Sequence, residues 1–265
     1  MSLDEAASVL RAHDPDRLGI CLMAPSDARP RLVTLYALNL ELARAPLASA
    51  EPLIAEMRLQ WWIERLGEIG AGRVPAHGIL GPLAEAWGPR AAALAALAEG
   101  RRRDAERLPH AGPGEVGDYV IATAVPLMQF ATEALGLPDA ARATVSLHAM
   151  GVGLVHWLAA LPVLQARGMG LARPTPEALA ALAARASDAL GRAAGQRESV
   201  PRGLAPVLYP GPAPRAVLRA APRGIEALAG GARPSEFRRR LALGRFALTG
   251  RWWVAAPGGA GPGRG

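Results

Sequence analysis

Few side chains in this sequence have the types and spacing needed to hold a metal ion. Hard cations such as Mg²⁺ need clustered carboxylate oxygens, but Glu64 and Glu68 form the one helical i, i+4 acidic pair near the other candidate residues, and Glu41 is isolated. Cys21 is the only cysteine, which excludes an internal disulfide and a multi-cysteine zinc site. The five histidines show no compact ligand spacing: His13, His77, His110, His148 and His156. The sequence therefore predicts neither a metal site nor a cofactor.

Candidate binding residues surround two consecutive tryptophans, Trp61 and Trp62. Core packing explains both indoles most simply. Contact with a partner protein is the alternative, since tryptophan is enriched at binding hot spots. Arg58 and Gln60 come just before them, and either form hydrogen bonds within the core or meet a ligand. The residues alone leave these alternatives open.

The last amphipathic segment, residues 235–252, is a second candidate surface. Its apolar residues recur on one face of a helix, and arginines supply its charge: Phe237, Leu241, Leu248 and Trp252, with Arg238, Arg239, Arg240, Arg245 and Arg251. A basic amphipathic helix either lies on a membrane surface or packs on the domain with a solvated basic side. Arg238, Arg245 and Trp252 are therefore candidates, beside the two earlier tryptophans, for contact with a partner or a membrane.

The elements that position these residues are predicted to be helices. Hydrophobic residues make up 51% of the 265 residues and aromatic residues 5%, and the apolar mass is mostly alanine and leucine, which are strong helix formers. Ser2 with Glu5 predicts a capping box, and Asp14-Pro15 and Thr175-Pro176 each indicate a helix start. Helices are predicted at about residues 27–44, 51–69, 90–108, 115–135, 139–167, 176–194, 213–230 and 235–252. We expect one all-α domain over residues 1–253 and a disordered tail over 254–265.

The most apolar predicted helix contains a long stretch without acidic residues. Residues 140–176 include no Asp or Glu, and the uncharged stretch 145–164 is long enough to cross a bilayer. Gly151, Gly153, Pro162 and two histidines within it argue against a membrane span. A buried central helix is therefore the favoured prediction.

The net charge of +7 gives only weak support to the idea that this chain binds nucleic acid. All 30 basic residues are arginine, and they are scattered without a recognition motif. Nucleic-acid binding is therefore not expected. The N-terminus begins with a helix cap instead of a basic stretch followed by an apolar one, which predicts a cytoplasmic location. A further possibility predicted from the last helix is peripheral attachment to the inner face of the cytoplasmic membrane.

Three stretches, in this order and spacing, resemble the squalene/phytoene synthase family. They are LYALNLELAR at 35–44, EMRLQWW at 56–62 and GVGLVHWL at 151–158, followed by ARG at 166–168 and by Pro174. The first two are most similar to the branch that contains the mitochondrial complex I assembly factor. The resemblance extends from Asp14 to the last helix. It implies a single-domain helical bundle of the class I isoprenoid (terpenoid) synthase fold.

Active members of that family hold Mg²⁺ against a prenyl diphosphate with aspartate-rich motifs on two facing helices. The positions that match the first motif are Ala43, Arg44 and Leu47. Those that match the second are Ala160 and Leu164, or Leu161 and Gln165 when the alignment is anchored on Pro174. None is acidic, and an arginine would repel Mg²⁺. The resemblance therefore implies that both metal clamps are missing.

The resemblance also assigns Arg44 and His156 to a central cavity. A structural ion pair and a buried histidine are the simpler interpretations. The alternative is that Arg44 takes the place of the metal and binds an anionic group directly. The ligand-pocket candidates are thus Arg44, Arg58, Gln60 and His156, with no catalytic residue and no metal ligand.

Two function classes follow from the resemblance. The first is a non-catalytic pseudoenzyme that acts as an assembly factor for respiratory complex I (NADH:quinone oxidoreductase), with a subunit or assembly intermediate as its protein partner, or that binds a prenyl or lipid-like ligand. The second is a prenyltransferase with an atypical site, which condenses prenyl diphosphates head to head in isoprenoid or carotenoid biosynthesis. The missing aspartates favour the first class.

Overall fold

Helices account for the regular structure of the described residues, 2–231 and 234–254 of the computed structural model, apart from an isolated bridge between His110 and Leu171. They are α1 (Leu3–His13), α2 (Pro15–Met23), α3 (Arg29–Arg44), α4 (Pro52–Gly70), α5 (Leu80–Trp87), α6 (Ala95–Glu99), α7 (Arg102–Glu106), α8 (Pro113–Glu133), α9 (Asp139–Ala166), α10 (Pro176–Gly195), α11 (Pro214–Ala220), α12 (Ile225–Gly231) and α13 (Glu236–Thr249). Turns of 3₁₀ helix cover Ala45–Ala48, Gly88–Leu94, Arg197–Ser199, Arg202–Leu208 and Ala221–Arg223. The predicted all-α fold class is confirmed.

Side-chain caps start several helices where the sequence predicts them. Ser2 and Glu5 form the predicted capping box at α1. Asp14 accepts a hydrogen bond from the backbone N–H of Arg17 at 3.2 Å, and α2 begins at the next residue. Thr175 plays the same part for α10, where its hydroxyl accepts from the backbone N–H of Ala178 at 3.2 Å. These caps satisfy amide groups that the first helical turn leaves without partners.

The chain divides into two compact units, and the first comprises residues 1–108 and 121–137. Its core is built on α3 and α4 and includes six fully buried leucines: Leu32, Leu35, Leu38 and Leu42 of α3, with Leu59 and Leu66 of α4. Helices α1, α2 and α5 pack on α3. The indole N–H of Trp87 lies 3.2 Å from both the Thr34 hydroxyl and the Arg31 carbonyl oxygen, which ties α5 to α3. The turn Ala45–Ala48, which follows α3, packs on α4 and so brings the end of α3 near that helix.

The second unit comprises residues 109–120 and 138–265 and is centred on α9. Helix α10 packs along α9 at Gly151, where a Cβ atom would lie 2.6 Å from Cγ of Leu190, so that only glycine permits the approach. Among the described residues, α9 is the one helix long and apolar enough to cross a membrane, and 56% of its most apolar window is buried inside the protein. This burial agrees with the prediction of a core helix.

Several predicted boundaries were wrong. The helix expected at 90–108 is broken into the turn Gly88–Leu94, α6 and α7, and α7 ends at Arg107 in the left-handed conformation with φ of 53°. The helix expected at 213–230 is interrupted by Pro222, and α5 was not predicted. The prediction of one domain over 1–253 with a tail stays a prediction. Val254 is buried, and 255–265 lie outside the described residues.

Candidate functional site

A cavity of about 560 Å³ in the first unit gathers several of the predicted binding residues. The residues that line it come from the end of α3, the turn after it, α4 and the loop before α5: Glu41, Arg44, Ala45, Ala48, Ile54, Met57, Arg58, Trp61, Trp62 and His77. We call it the arginine cavity. Arg44 ends α3 and Arg58 lies in α4, and residues 45–51 connect the two helices. Both arginines were predicted as binding residues, and both line this one cavity.

The spacing of residues along α4 explains how that helix serves both the cavity and the core. Positions 54, 57, 58, 61 and 62 follow the i, i+3, i+4, i+7, i+8 pattern of one helix face, and all line the cavity. Positions 55, 59 and 66 lie on the adjoining face and are fully buried. Trp62 belongs to the boundary, since it lines the cavity and is only 5% exposed.

An aromatic cluster forms one side of the cavity. The rings of Trp61 and Trp62 meet edge to face with centroids 5.0 Å apart, and His77 packs against both, at 4.7 Å from Trp61 and 5.7 Å from Trp62. Trp62 is buried as core packing predicts, whereas Trp61 is half-buried. His77 was not predicted, because it lies in an aperiodic loop where the sequence carries no pattern.

The charge of the cavity is positive. Arg44 and Arg58 are exposed at it, and Glu41 is the one carboxylate among the described lining residues. The guanidinium of Arg44 lies 3.8 Å from the Glu41 carboxylate, too far for a hydrogen bond, and both side chains are partly solvated. A pair of this kind contributes little to stability. The Arg44 guanidinium is therefore held loosely enough to meet an anionic ligand.

Gln60 does not line this cavity. Its side-chain oxygen accepts a hydrogen bond from Arg102 at 2.7 Å, and its amide N–H donates to Glu64 at 3.2 Å. Arg102 also contacts Glu56 and Glu99, and these bonds raise its pKa. Gln60 thus belongs to a surface network that ties α4 to the segment around α7, an interaction that its own position in the sequence does not reveal.

The second unit has its own cavity, of about 360 Å³, with different chemistry. His156 lines it together with residues that are mostly proline, alanine and valine: Val155, Ala159, Ala160, Pro210, Pro212, Ala213, Pro214, Val217 and Pro234. We call it the proline cavity. The simpler prediction for His156 was a buried histidine, and it was wrong because His156 is exposed. Arg44 and His156 line cavities within different units, and a cavity common to both stays a prediction.

The buried histidine of α9 is His148, which the sequence did not single out. Its Nε2 atom lies 2.8 Å from the Leu208 carbonyl oxygen and therefore carries the proton as donor, while Nδ1 is buried without a hydrogen-bond partner. Burial lowers the pKa of His148 to about 4, despite the opposing effect of the Leu208 carbonyl. The imidazole is thus neutral and structural at neutral pH.

Trp252 is not on an exposed face. It is 4% exposed and packs edge to face on His148, with ring centroids 4.8 Å apart. The cause is Gly250, which ends α13 in the left-handed conformation with φ of 59°, so that Trp252 lies beyond the helix and leaves its periodicity. Arg238 and Arg245 are exposed on α13, as candidates for a surface contact must be.

The positions that the family resemblance assigns to Mg²⁺ carry no carboxylate. Ala43, Arg44 and Leu47 lie at the end of α3 and in the turn after it, and Ala160 and Leu164 lie on α9. Glu64 and Glu68 are both paired with Arg65, at 3.7 Å and 2.9 Å. No group of three His, Cys, Asp or Glu side chains within the described ranges could hold a metal ion. This donor set does not fit Mg²⁺.

Two comparisons with known proteins agree with the fold. The family model for squalene/phytoene synthase matches residues 10–168, more than half of the chain. The crystal structure of a dehydrosqualene synthase in complex with ligand superposes with a TM-score of 0.69 at 10% identity, over 92% of this chain and 94% of that one. No curated protein matches the chain. The chain therefore belongs to the squalene/phytoene synthase family.

Proposed function

We propose that this chain is a non-catalytic member of its family that binds an anionic, lipid-like ligand in the arginine cavity and acts as an assembly factor for respiratory complex I. The observation that carries the proposal is Arg44, which stands at a position matched to a metal-binding acid and lines a cavity with Arg58. A guanidinium binds phosphate or carboxylate directly, in the role that Mg²⁺ would otherwise serve.

The rest of the cavity suits an apolar tail. Ile54, Met57 and Trp61 supply aliphatic, thioether and indole surface beside the two arginines. Ile54 is 38% exposed and Met57 63% exposed, an exposure that a bound hydrocarbon chain would reduce. Apolar walls with a few polar anchors are typical of small-molecule sites. The ligand class is a prenyl or acyl chain that ends in phosphate or diphosphate.

Binding without catalysis follows from the same residues. Departure of diphosphate needs divalent cations that stabilise the charge developing on the leaving group. Arg44 and Arg58 supply two positive charges, partly offset by Glu41, which is less than a cluster of divalent cations supplies. A bound diphosphate is therefore expected to remain intact.

The assembly role rests on the sequence stretches at 35–44 and 56–62, which resemble the complex I assembly branch. Trp61, half-buried beside the exposed Arg58, provides an aromatic and a cationic group of the kind found at binding hot spots. The partner is a complex I subunit or an assembly intermediate.

Deletion of the gene in its native organism tests the assembly role. The deletion strain should lose most NADH:quinone oxidoreductase activity, and the wild-type gene should restore it. The matched complementing variants are Arg44→Ala/Arg58→Ala, which should fail, and Arg192→Ala, a change at an exposed arginine of α10, which should succeed. Normal activity in the deletion strain would contradict the assembly role.

A prenyltransferase is the second candidate, and the superposition with a dehydrosqualene synthase is the observation that favours it. Farnesyl or geranylgeranyl diphosphate is incubated with the protein and Mg²⁺, and diphosphate release is measured. Release above that of the Arg44→Ala/Arg58→Ala variant would establish catalysis at this site and refute the non-catalytic proposal. We expect none.

A further inference from the structure

An apolar stripe runs along the outer face of α13. Phe237, Leu241 and Leu248 have i, i+4, i+11 spacing, which places them on one side of the helix within three turns. Their exposed fractions are 74%, 60% and 90%. Large side chains exposed singly are ordinary, but three aligned on one helix face form an apolar stripe.

The orientation of this stripe is fixed by the opposite face of the helix. Phe246 is 5% exposed and packs on Tyr209, with ring centroids 4.9 Å apart. The Ser235 hydroxyl caps the start of α13 by accepting from the backbone N–H of Arg238 at 3.3 Å. Because one face is anchored in the second unit, the stripe is held outward and is not a consequence of a loose terminus.

Arginines border the stripe on both sides. Arg238 and Arg245 lie three or four residues from Leu241 and share one flank, and Arg240 lies on the other. The helix has one acidic residue, Glu236, whose carboxylate accepts bonds at 2.9 Å from both Arg239 and Arg240. The flanks of the stripe therefore carry a net positive charge.

We propose that α13 is a membrane-binding helix that lies flat on a bilayer containing anionic lipids. Phe237, Leu241 and Leu248 enter the boundary between headgroups and acyl chains, and Arg238, Arg240 and Arg245 meet lipid phosphates. Arginine side chains beside an inserted stripe can keep their charged ends in water. A groove on an acidic protein is the competing occupant. It would have to desolvate the arginines on both flanks, whereas a bilayer surface does not.

A single labelled cysteine reads insertion directly. Cys21 is fully buried, and burial raises the pKa of its thiol to about 12, so it does not compete for a thiol-reactive dye. The full chain with Leu248→Cys carries an environment-sensitive fluorophore, and Arg192→Cys on α10 is the matched control. Equal mixtures of phosphatidylglycerol and phosphatidylcholine should shift the Leu248→Cys emission to the blue and leave the control unchanged. No shift, or an equal shift at both positions, would overturn the proposal.

Co-sedimentation with the same vesicles at low salt separates insertion from adsorption. The triple variant Phe237→Ser/Leu241→Ser/Leu248→Ser and the double variant Arg238→Glu/Arg245→Glu should each weaken binding at least about tenfold, because each removes one of the two contributions. Leu22→Ser, at a side chain 59% exposed on α2, and Arg192→Glu/Arg219→Glu are the matched controls and should bind as wild type does. Retained binding in the triple variant would show adsorption by charge alone and overturn the proposal. Absence of binding by wild type would favour an acidic protein partner and overturn it too.

Discussion

The arginine cavity and the proline cavity belong to one family fold but differ in chemistry. The first offers two exposed guanidiniums, one carboxylate and an aromatic cluster. The second offers mainly proline, alanine and valine, with His156 as its one titratable side chain among the described lining residues. Each contains or borders a position where the family resemblance expects a metal-binding acid, namely Arg44 in one and Ala160 in the other.

The two cavities therefore differ at the positions where the resemblance expects acids. At the end of α3 the resemblance matches Arg44 to an expected acid, and under the proposed function this cation binds an anion without Mg²⁺. On α9 the matched positions carry no acid, and the helix serves as the core of its unit. Ligand binding should therefore depend on the first unit, and changes on α9 should act mainly on stability.

The largest expected effect comes from placing an acid on α9. Leu161 is fully buried, so Leu161→Asp should lower the free energy of unfolding by about 4 to 5 kcal/mol, because it buries an unpaired polar group and leaves a void. Ala160→Asp, one position away at the proline cavity, should cost less than about 1 kcal/mol. Urea denaturation with matched m-values measures both. An equal loss of unfolding free energy in both variants would contradict the expected difference between the two positions.

A smaller effect separates structure from binding in the arginine cavity. Trp62→Ala should cost about 3 to 4 kcal/mol of unfolding free energy, since its side chain is 5% exposed and its removal leaves a void. Trp61→Ala should cost about 1 to 2 kcal/mol, since its ring is half-buried, and should weaken ligand binding instead. Thermal unfolding and ligand titration of both variants provide the measurement. A greater stability loss for Trp61→Ala would reverse these roles.

Acid should weaken the second unit through His148. Its folded pKa of about 4 lies below the ordinary value of 6.5, so the unfolded chain takes up the proton first as the pH falls. The contribution of His148 to the free energy of unfolding is complete above about pH 6.5. It declines by up to about 3 kcal/mol as the pH approaches 4. His148→Gln should flatten unfolding free energy against pH in this window, and His13→Gln, at an exposed histidine of α1, should not. Identical curves for wild type and His148→Gln would contradict the neutral, buried imidazole.

The sequence predicted best those helices that have capping residues at their ends and a regular spacing of apolar residues. Helices α3, α4, α9 and α10 lie within a few residues of their expected bounds, because their ends carry prolines, glycines or capping side chains. The break between α6 and α7 lies at Gly100, where a Cβ atom would be 2.3 Å from the carbonyl oxygen of Ala122, a residue distant in sequence. Local pattern does not contain such a contact.

Of the four pocket candidates named from the sequence, Arg44 and Arg58 line one cavity, together with Trp61 and Trp62, which were expected in the core or at a partner contact. Gln60 lies one position from Trp61, yet the partner that holds it, Arg102, is 42 residues away in sequence. On α9 the apolar character extends around most of the helix, so periodicity could not tell that His148 is buried and His156 exposed. Trp252 was placed on an exposed face because the helical period was carried past Gly250.

Calorimetric titration of farnesyl diphosphate into the protein with EDTA, and again with Mg²⁺, shows whether Arg44 binds the anion without a metal ion. We expect binding of equal affinity in both buffers. Arg44→Ala should weaken it about tenfold to a hundredfold, since a hydrogen bond to a charged group contributes about 1.5 to 3 kcal/mol. His156→Ala, in the proline cavity, is the matched control and should bind as wild type does. Binding that requires Mg²⁺, or that is unaffected by Arg44→Ala, would contradict the claim that arginine binds the anion in place of the metal.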